Sequence, residues 1–364
     1  MQTVHVGLIG FGYAGSTFHA PLIRSTPGLH LAAVASSDPA KVHAALGTAV
    51  TVCSPQALLA RPDIDLVVIA APNDQHHALA LAALQAGKHV VVDKPFALDL
   101  VQAQAMAAAA LAAGRLLSVF HNRRWDGDFL TLQALLQSGQ LGRPVELVMH
   151  FDRFRPQVRP RWREGDGPGA GLWLDLAPHL IDQAIQLFGP PGQIDLASAT
   201  LRDGGRSDDW FDARLHWTSG PHTGLRARLH ASMLAATPGP RFTLHGTRGS
   251  VTVLGLDPQE DALKAGLMPN HKPNLLPDLL PDLQWGLDTR QAQLVIADGQ
   301  ALQTTQLPLL AGAYPRYYRQ LRDAVLGQAA NPVPLNEALV VQAWLDAGRR
   351  SAASGRPVAP PASP

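Results

Sequence analysis

Short runs of apolar residues recur through the first third of the chain, and Ala-rich or amphipathic stretches separate them. The runs are VHVGLIG (4–10), LHLAAVAS (29–36), AVTVC (49–53), IDLVVIAAP (64–72), KHVVVDKP (88–95) and RLLSVFHN (115–122). A strand that is apolar at nearly every position needs cover on both faces, and strands that alternate with helices supply it in a parallel sheet. The predicted intervening helices fall in FGYAGSTFHAPLIRSTPG, PAKVHAAL, PQALLA, His76–Ala86 and the Ala-rich stretch containing MAAAALAAG. This pattern predicts an α/β domain of the doubly wound, Rossmann type. Past residue 122 the rhythm changes: VELVMHFDRF, IDLASATL, DARLHW, TGLRARLHA, RFTLHG and GSVTVLG read as strands joined by Gly-, Pro- or Asp-containing turns.

One helix interrupts that second series. In GLWLDLAPHLIDQAIQLFG (171–189), apolar Leu174, Leu176, Leu180, Ile181, Ile185, Leu187 and Phe188 are interleaved with Asp175, His179 and Asp182. Residues three and four apart share a helix face, so these polar residues look together into water or into a site. Pro178 has no N–H and fits best where helix amides are unpaired, which predicts a start near Leu174 to Asp175 with Asp175 as a candidate N-cap.

At 364 residues the chain exceeds what one core supports, so two domains are expected. Lys plus Arg number 30 and Asp plus Glu 29, for a formal charge of +1. No basic stripe stands out, which argues against a nucleic-acid partner. The single cysteine, Cys53, reads as a small buried hydrophobe, excludes an internal disulfide and fits a reducing compartment. MQTVHVGLIG lacks a charged leader followed by a long apolar run, and no apolar run reaches membrane-spanning length; both favour a cytoplasmic protein with no membrane partner. The tail GRPVAPPASP has a solvated composition. The expected partition is a cofactor domain over 1–121, a substrate and oligomerisation domain over 122–350 and a flexible tail over 351–364.

The first strand–helix junction reads Gly10-Phe11-Gly12-Tyr13-Ala14-Gly15, a Gly-x-Gly-x-x-Gly match. The chemistry asks for Gly10 in the tight turn, Gly12 where backbone approaches a pyrophosphate, and Gly15 for close helix–strand packing. The helix N-terminus then faces the anion. An NAD-type site would place an acid at the end of the second strand; here the sequence is Ser36-Ser37-Asp38, with Lys41 a turn beyond. Two hydroxyls and a lysine suit a 2′-phosphate and lean toward NADP. Asp38 keeps NAD open, or simply caps the next helix.

Asp93-Lys94-Pro95 at the end of the fifth apolar run resembles the Glu-Lys-Pro signature of the Gfo/Idh/MocA family of sugar and polyol oxidoreductases, with Asp in place of Glu. Ala71-Pro72-Asn73 with His76, the segment HNRRWD (121–126) and the helix over 171–189 agree in the same order. HNRRWD, DRFRPQVRPRWRE and GLDPQED look most like the branch containing the NADP-dependent scyllo-inositol dehydrogenases. The resemblance implies a Rossmann domain followed by an α/β domain with a large, mostly antiparallel sheet, whose uncovered face pairs with another subunit in a homodimer or larger oligomer.

Removing hydride from an alcohol carbon needs a group to take the hydroxyl proton and a group to stabilise the oxygen. By resemblance, His179 is the general base or acid, Lys94 bonds the reacting oxygen and the cofactor ribose, and Asp175 shares the oxygen or orients the histidine. Ala71, Pro72, Asn73, His76, Asp93 and Pro95 join the glycine loop and Ser36-Ser37 as cofactor contacts. Asn122 and Arg123 are placed at substrate or cofactor, with a surface salt bridge as the competing reading. Arg155 and Trp162 face the sugar or are, equally, a solvated arginine and a core tryptophan. Asp182 belongs to packing or subunit contacts. No Cys-x-x-Cys or His-x-x-x-His pattern is present, so no metal is expected. A nucleotide- or sugar-sensing regulator, and an enzyme that oxidises its substrate only transiently to cleave or epimerise it, remain as alternatives.

Overall fold

The computed structural model describes residues 2–269, 285–299 and 301–360. They form two compact units, each with its own hydrophobic core.

The first unit holds a six-stranded sheet. Its strands are β1 (Val4–Ile9), β2 (Leu29–Ala35), β3 (Thr51–Cys53), β4 (Leu66–Ile69), β5 (His89–Val92) and β6 (Leu117–Val119). The order is β3-β2-β1-β4-β5-β6, and every pairing is parallel. This is the dinucleotide-binding order, with its switch point between β1 and β4. Every residue of β4 is fully buried, as a strand covered on both faces requires.

The second unit holds an eight-stranded sheet. Its strands are β7 (Pro144–His150), β8 (Gln193–Ala199), β9 (Trp210–His216), β10 (Arg226–Ser232), β11 (Phe242–Gly246), β12 (Gly249–Val253), β13 (Gln291–Asp298) and β14 (Ala301–Pro308). Their order is β14-β13-β12-β11-β7-β10-β9-β8; β7 and β10 run parallel and the other pairs antiparallel. The helix Leu172–Phe188 packs on β9 and β10, burying Leu176, Leu180, Ile181 and Ala184.

Three departures from the sequence reading have physical causes. The first unit comprises Met1–Trp125, Pro258–Gly286 and Ala313–Leu339, rather than ending at residue 121. Tyr314, Tyr317 and Tyr318 are fully buried, and Phe120 packs edge-on against Tyr317 at 5.0 Å. Aromatic periodicity reports that a face is buried, not which core buries it. The hairpin β13–β14 extends the sheet beyond the strands read from sequence. Finally, the end of the chain is structured past residue 351: a helix runs over Leu335–Ser354, Ser351 Oγ accepts the Leu196 N–H at 3.0 Å, and Val358 exchanges both backbone hydrogen bonds with Ile194 at 2.8 Å. Residues 361–364 of the expected tail lie outside the described residues.

No described helix is long and apolar enough to cross a membrane.

Candidate functional site

In the first unit, Gly10 has φ +96°, and a Cβ there would sit 2.4 Å from the Ala70 carbonyl oxygen. At Gly15 it would sit 2.1 Å from the Gly10 oxygen. Both positions exclude a side chain by collision with backbone. At Gly12, by contrast, a Cβ would meet nothing within 4 Å. The loop is therefore packed tight at its ends and open at its middle glycine, the shape a pyrophosphate cradle needs. Phe11 is buried, and Gly12 and Tyr13 face solvent.

The end of β2 settles one alternative. Asp38 caps the helix Pro39–Leu46, its Oδ1 accepting the Lys41 N–H at 2.9 Å, and its own N–H donates to Ser36 Oγ at 3.1 Å. The Lys41 ammonium returns over the glycine loop and donates to the Phe11 carbonyl at 3.1 Å. Thus one carboxylate oxygen is engaged in the cap while a cation and the hydroxyls of Ser36 and Ser37 lie at the strand end.

At the end of β5, Asp93 is 5% exposed and Lys94 is half-buried. Burial opposes charge on Asp93, yet His19, whose Nε2 is 3.8 Å away, and the charges of Lys94 and His76 hold its pKa down to about 2. Asp93 Oδ1 accepts the Lys94 N–H at 2.7 Å, so the acid braces the backbone of the lysine beside it. His76 is fully buried, with Nδ1 2.9 Å from the Pro95 oxygen and Nε2 3.1 Å from the Ala71 oxygen. This imidazole lies between the loops after β4 and β5. Asn73 is likewise buried, while Ala71 and Pro72 are half-buried.

Arg123, expected at substrate or cofactor, is drawn into an ion pair. It is 4% exposed and its Nη2 pairs with Glu260 Oε2 at 2.6 Å. Glu260 Oε1 also accepts the Tyr13 hydroxyl at 2.5 Å and lies 3.0 Å from Lys264 Nζ. Burial disfavours the Glu260 carboxylate, but Arg123, Tyr13 and Lys264 together hold its pKa at about 2. Burial and the neighbouring Glu260 charge push the Tyr13 phenol up to about 12. Glu260 thereby ties the glycine loop to the segment after β6. Nothing in local spacing links this glutamate of the GLDPQED segment to Tyr13, 247 residues away. Asn122, also expected at the site, is 4% exposed.

In the second unit, the helix begins at Leu172, two residues before the expected start, and its N-cap is Gly171 rather than Asp175. The reason is Asp208. Its carbonyl oxygen accepts the Leu172 N–H at 2.8 Å and its Oδ2 accepts the Trp173 N–H at 2.6 Å, satisfying two otherwise orphaned amides. Pro178 therefore stands inside the helix, where Leu174 O receives no N–H from it. Asp208 approaches so closely because position 171 has no Cβ: one built there would fall 2.0 Å from Asp208 Oδ1. Burial, the largest influence on it, raises the Asp208 pKa to about 6.

From Leu172 to Ile185, Asp175 alone is more than marginally exposed. Its carboxylate lies between two guanidinium groups, Arg153 Nη1 at 3.8 Å and Arg163 Nε at 3.7 Å. His179, a turn later and 5% exposed, stacks on Phe151 at 6.3 Å. Asp182 is 1% exposed. Arg155 is half-buried, and burial with Arg153, Arg159 and Arg161 nearby lowers its pKa. Trp162 is half-buried and stacks under the Arg163 guanidinium at 4.3 Å.

Local metal-ligand spacing was absent from the sequence, yet among the described residues His150, Asp152 and His230 converge, their ligand atoms within 4.8 Å of one another.

A parallel sheet in dinucleotide-binding order with a glycine cradle at its switch point, followed by a mostly antiparallel α/β unit, defines a two-domain nucleotide-binding oxidoreductase. Residues 4–121 match the oxidoreductase family's NAD-binding Rossmann fold and residues 133–359 its C-terminal alpha/beta domain. The chain belongs to the Gfo/Idh/MocA family. It is 50% identical over 352 residues to the uncharacterized oxidoreductase YdgJ of Escherichia coli, covering 96% of this chain and 97% of that one. It is 32% identical over 360 residues to scyllo-inositol 2-dehydrogenase (NADP(+)) IolW of Bacillus subtilis, covering 98% and 96%. A solved structure, the YPO2259 putative oxidoreductase of Yersinia pestis, superposes with a TM-score of 0.89 at 48% identity, covering 100% of this chain and 98% of that one.

Proposed function

We propose that the protein is an NAD(P)-dependent dehydrogenase that interconverts a secondary alcohol of a cyclic polyol or sugar, an inositol first among them, with its ketone in the cytoplasm. What carries the reading is the helix Leu172–Phe188: an otherwise apolar, buried element that places Asp175 and His179 one turn apart, from a start fixed by Gly171 and Asp208. The half-buried Lys94 at the end of β5 supports it, as does the similarity to the scyllo-inositol 2-dehydrogenase of Bacillus subtilis.

When bound, the nicotinamide supplies the hydride acceptor or donor. His179 takes the substrate hydroxyl proton during oxidation and returns it during reduction. Lys94 donates a hydrogen bond to the same oxygen and stabilises its developing negative charge. Asp175, between Arg153 and Arg163, orients the histidine or shares that oxygen, and Arg155 and Trp162 offer a planar donor and an aromatic face to the polyol. Ser36, Ser37 and Lys41 favour the 2′-phosphate of NADP, since Asp38 Oδ1 is spent on its helix cap. The protein acts as a homodimer or larger homo-oligomer, which light scattering on eluting fractions tests.

The deciding experiment is a panel of polyols and keto-sugars with NAD(H) and NADP(H) in parallel, following the absorbance of reduced nicotinamide. Lys94→Ala and His179→Ala should each abolish turnover and leave cofactor binding in place. Near-native rates in either variant refute the assignment, and turnover without net cofactor consumption indicates transient oxidation instead.

A further inference from the structure

β7 and β10 run parallel in the second sheet, and their register sets His150 directly beside His230. Side chains alternate along a strand, so the neighbours of these histidines point the other way: Met149 and Leu229 are fully buried, and Phe151 meets His179 on the helix-covered side. His150, Asp152 and His230 therefore share the opposite face of the sheet. Asp152 sits between the rings, with Oδ2 3.0 Å from His150 Nδ1 and Oδ1 2.9 Å from His230 Nδ1. The ring centroids are 5.0 Å apart.

We propose that His150 Nδ1, His230 Nδ1 and one oxygen of Asp152 form a binding site for a borderline divalent transition-metal ion, Zn²⁺ or Co²⁺, with a fourth position left to solvent. Two imidazoles and one carboxylate suit such ions, whereas Ca²⁺ and Mg²⁺ call for more oxygen ligands. An ion about 2.0–2.1 Å from each ligand atom in a tetrahedral arrangement would hold the atoms roughly 3.3 Å apart. The two rings now meet different oxygens of the carboxylate, His150 Nδ1 at 3.0 Å from Oδ2 and His230 Nδ1 at 2.9 Å from Oδ1, with one ligand atom from each residue within 4.8 Å of the others, so the carboxylate must turn to present one oxygen to both nitrogens.

The surroundings are built for the carboxylate. Asp152 is 3% exposed and its Oδ2 also accepts the Gly239 N–H at 3.0 Å, an outer hydrogen bond of the kind that fixes a metal-binding carboxylate. Position 239 has to be glycine for that approach, because a Cβ there would fall 2.5 Å from His150 Nδ1. In the single chain the two histidine side chains are 16% and 13% exposed.

The proton balance is simple. Without metal, each Nδ1–H donates to Asp152. On binding, a neutral ring moves its proton to Nε2 and offers the Nδ1 lone pair, with no net proton released; a protonated ring gives up one proton.

The test uses the untagged full-length protein, stripped with chelator and titrated calorimetrically with Zn²⁺. One ion per chain is expected, lost in both His150→Ala and His230→Ala, with Co²⁺ giving the visible spectrum of a four-coordinate site. Because either variant could be destabilised, a wild-type crystal soaked in Zn²⁺ supplies a second readout: an anomalous peak within bonding distance of both Nδ1 atoms. No binding by the wild type, binding that persists in either folded variant, or a peak elsewhere overturns the assignment and leaves the cluster a hydrogen-bonded triad.

Discussion

Replacing Gly171 by alanine places a methyl group where the Asp208 carboxylate now sits. The backbone at 171 has φ +103° and ψ 157°, a region open essentially to glycine alone. Forcing alanine into it costs about 1–3 kcal/mol. The new Cβ would lie 2.0 Å from Asp208 Oδ1, so the carboxylate must withdraw from the Trp173 N–H it now caps. Losing that cap costs a further ~1 kcal/mol. A total of about 2–4 kcal/mol should appear in equilibrium denaturation, and as a drop of roughly 5–15 °C in melting temperature for a unit of this size. The helix so loosened carries Asp175 and His179, so turnover should fall as well. Asp208→Ala measured alone and together with Gly171→Ala separates the contributions: with the carboxylate gone, alanine at 171 retains only its backbone cost. A loss below about 0.5 kcal/mol, or strict additivity of the two changes, would refute the account of how this helix begins.

Asp208 also predicts a pH dependence. Its folded pKa of about 6 lies above the ordinary 3.8, so between those values the folded state binds the extra proton and stability falls as pH rises. The span amounts to roughly 3 kcal/mol, and Asp208→Asn should flatten that part of a denaturation-versus-pH curve. Gly12→Ala should leave the melting temperature nearly unchanged, since its Cβ meets nothing within 4 Å, and weaken cofactor binding at least about tenfold by filling the cradle; equal affinities by fluorescence titration would remove the cradle from the site. Glu260→Gln strands the buried Arg123 cation and should cost about 3–5 kcal/mol in urea unfolding near neutral pH. Glu260 has a folded pKa of about 2, below the ordinary 4.5, so its contribution is present above that ordinary value and fades as pH falls toward 2; the gap between wild type and Glu260→Gln should narrow in acid, and a gap independent of pH would argue against an ionic role.

Much of the fold was legible in the sequence because burial on both faces leaves wholly apolar runs and because glycines that cannot carry a Cβ stand at fixed spacing. The six parallel strands, the glycine cradle and the polar pair Asp175–His179 follow from such local rules, and resemblance extended them to Lys94 and the family. Long-range encounters were decided by tertiary structure alone. The helix over 172–188 starts where Asp208 reaches its amides, Arg123 is turned inward by Glu260, and the His76 ring lies between two backbone carbonyl oxygens. His150 and His230, 80 positions apart, become neighbours only when β7 and β10 pair. Sequence spacing reports which side chains share one strand or helix; whether a buried charge serves a partner, a cap or a ligand depends on what the folded chain brings within a few ångströms of it, and that is set by sheet order rather than by any local pattern.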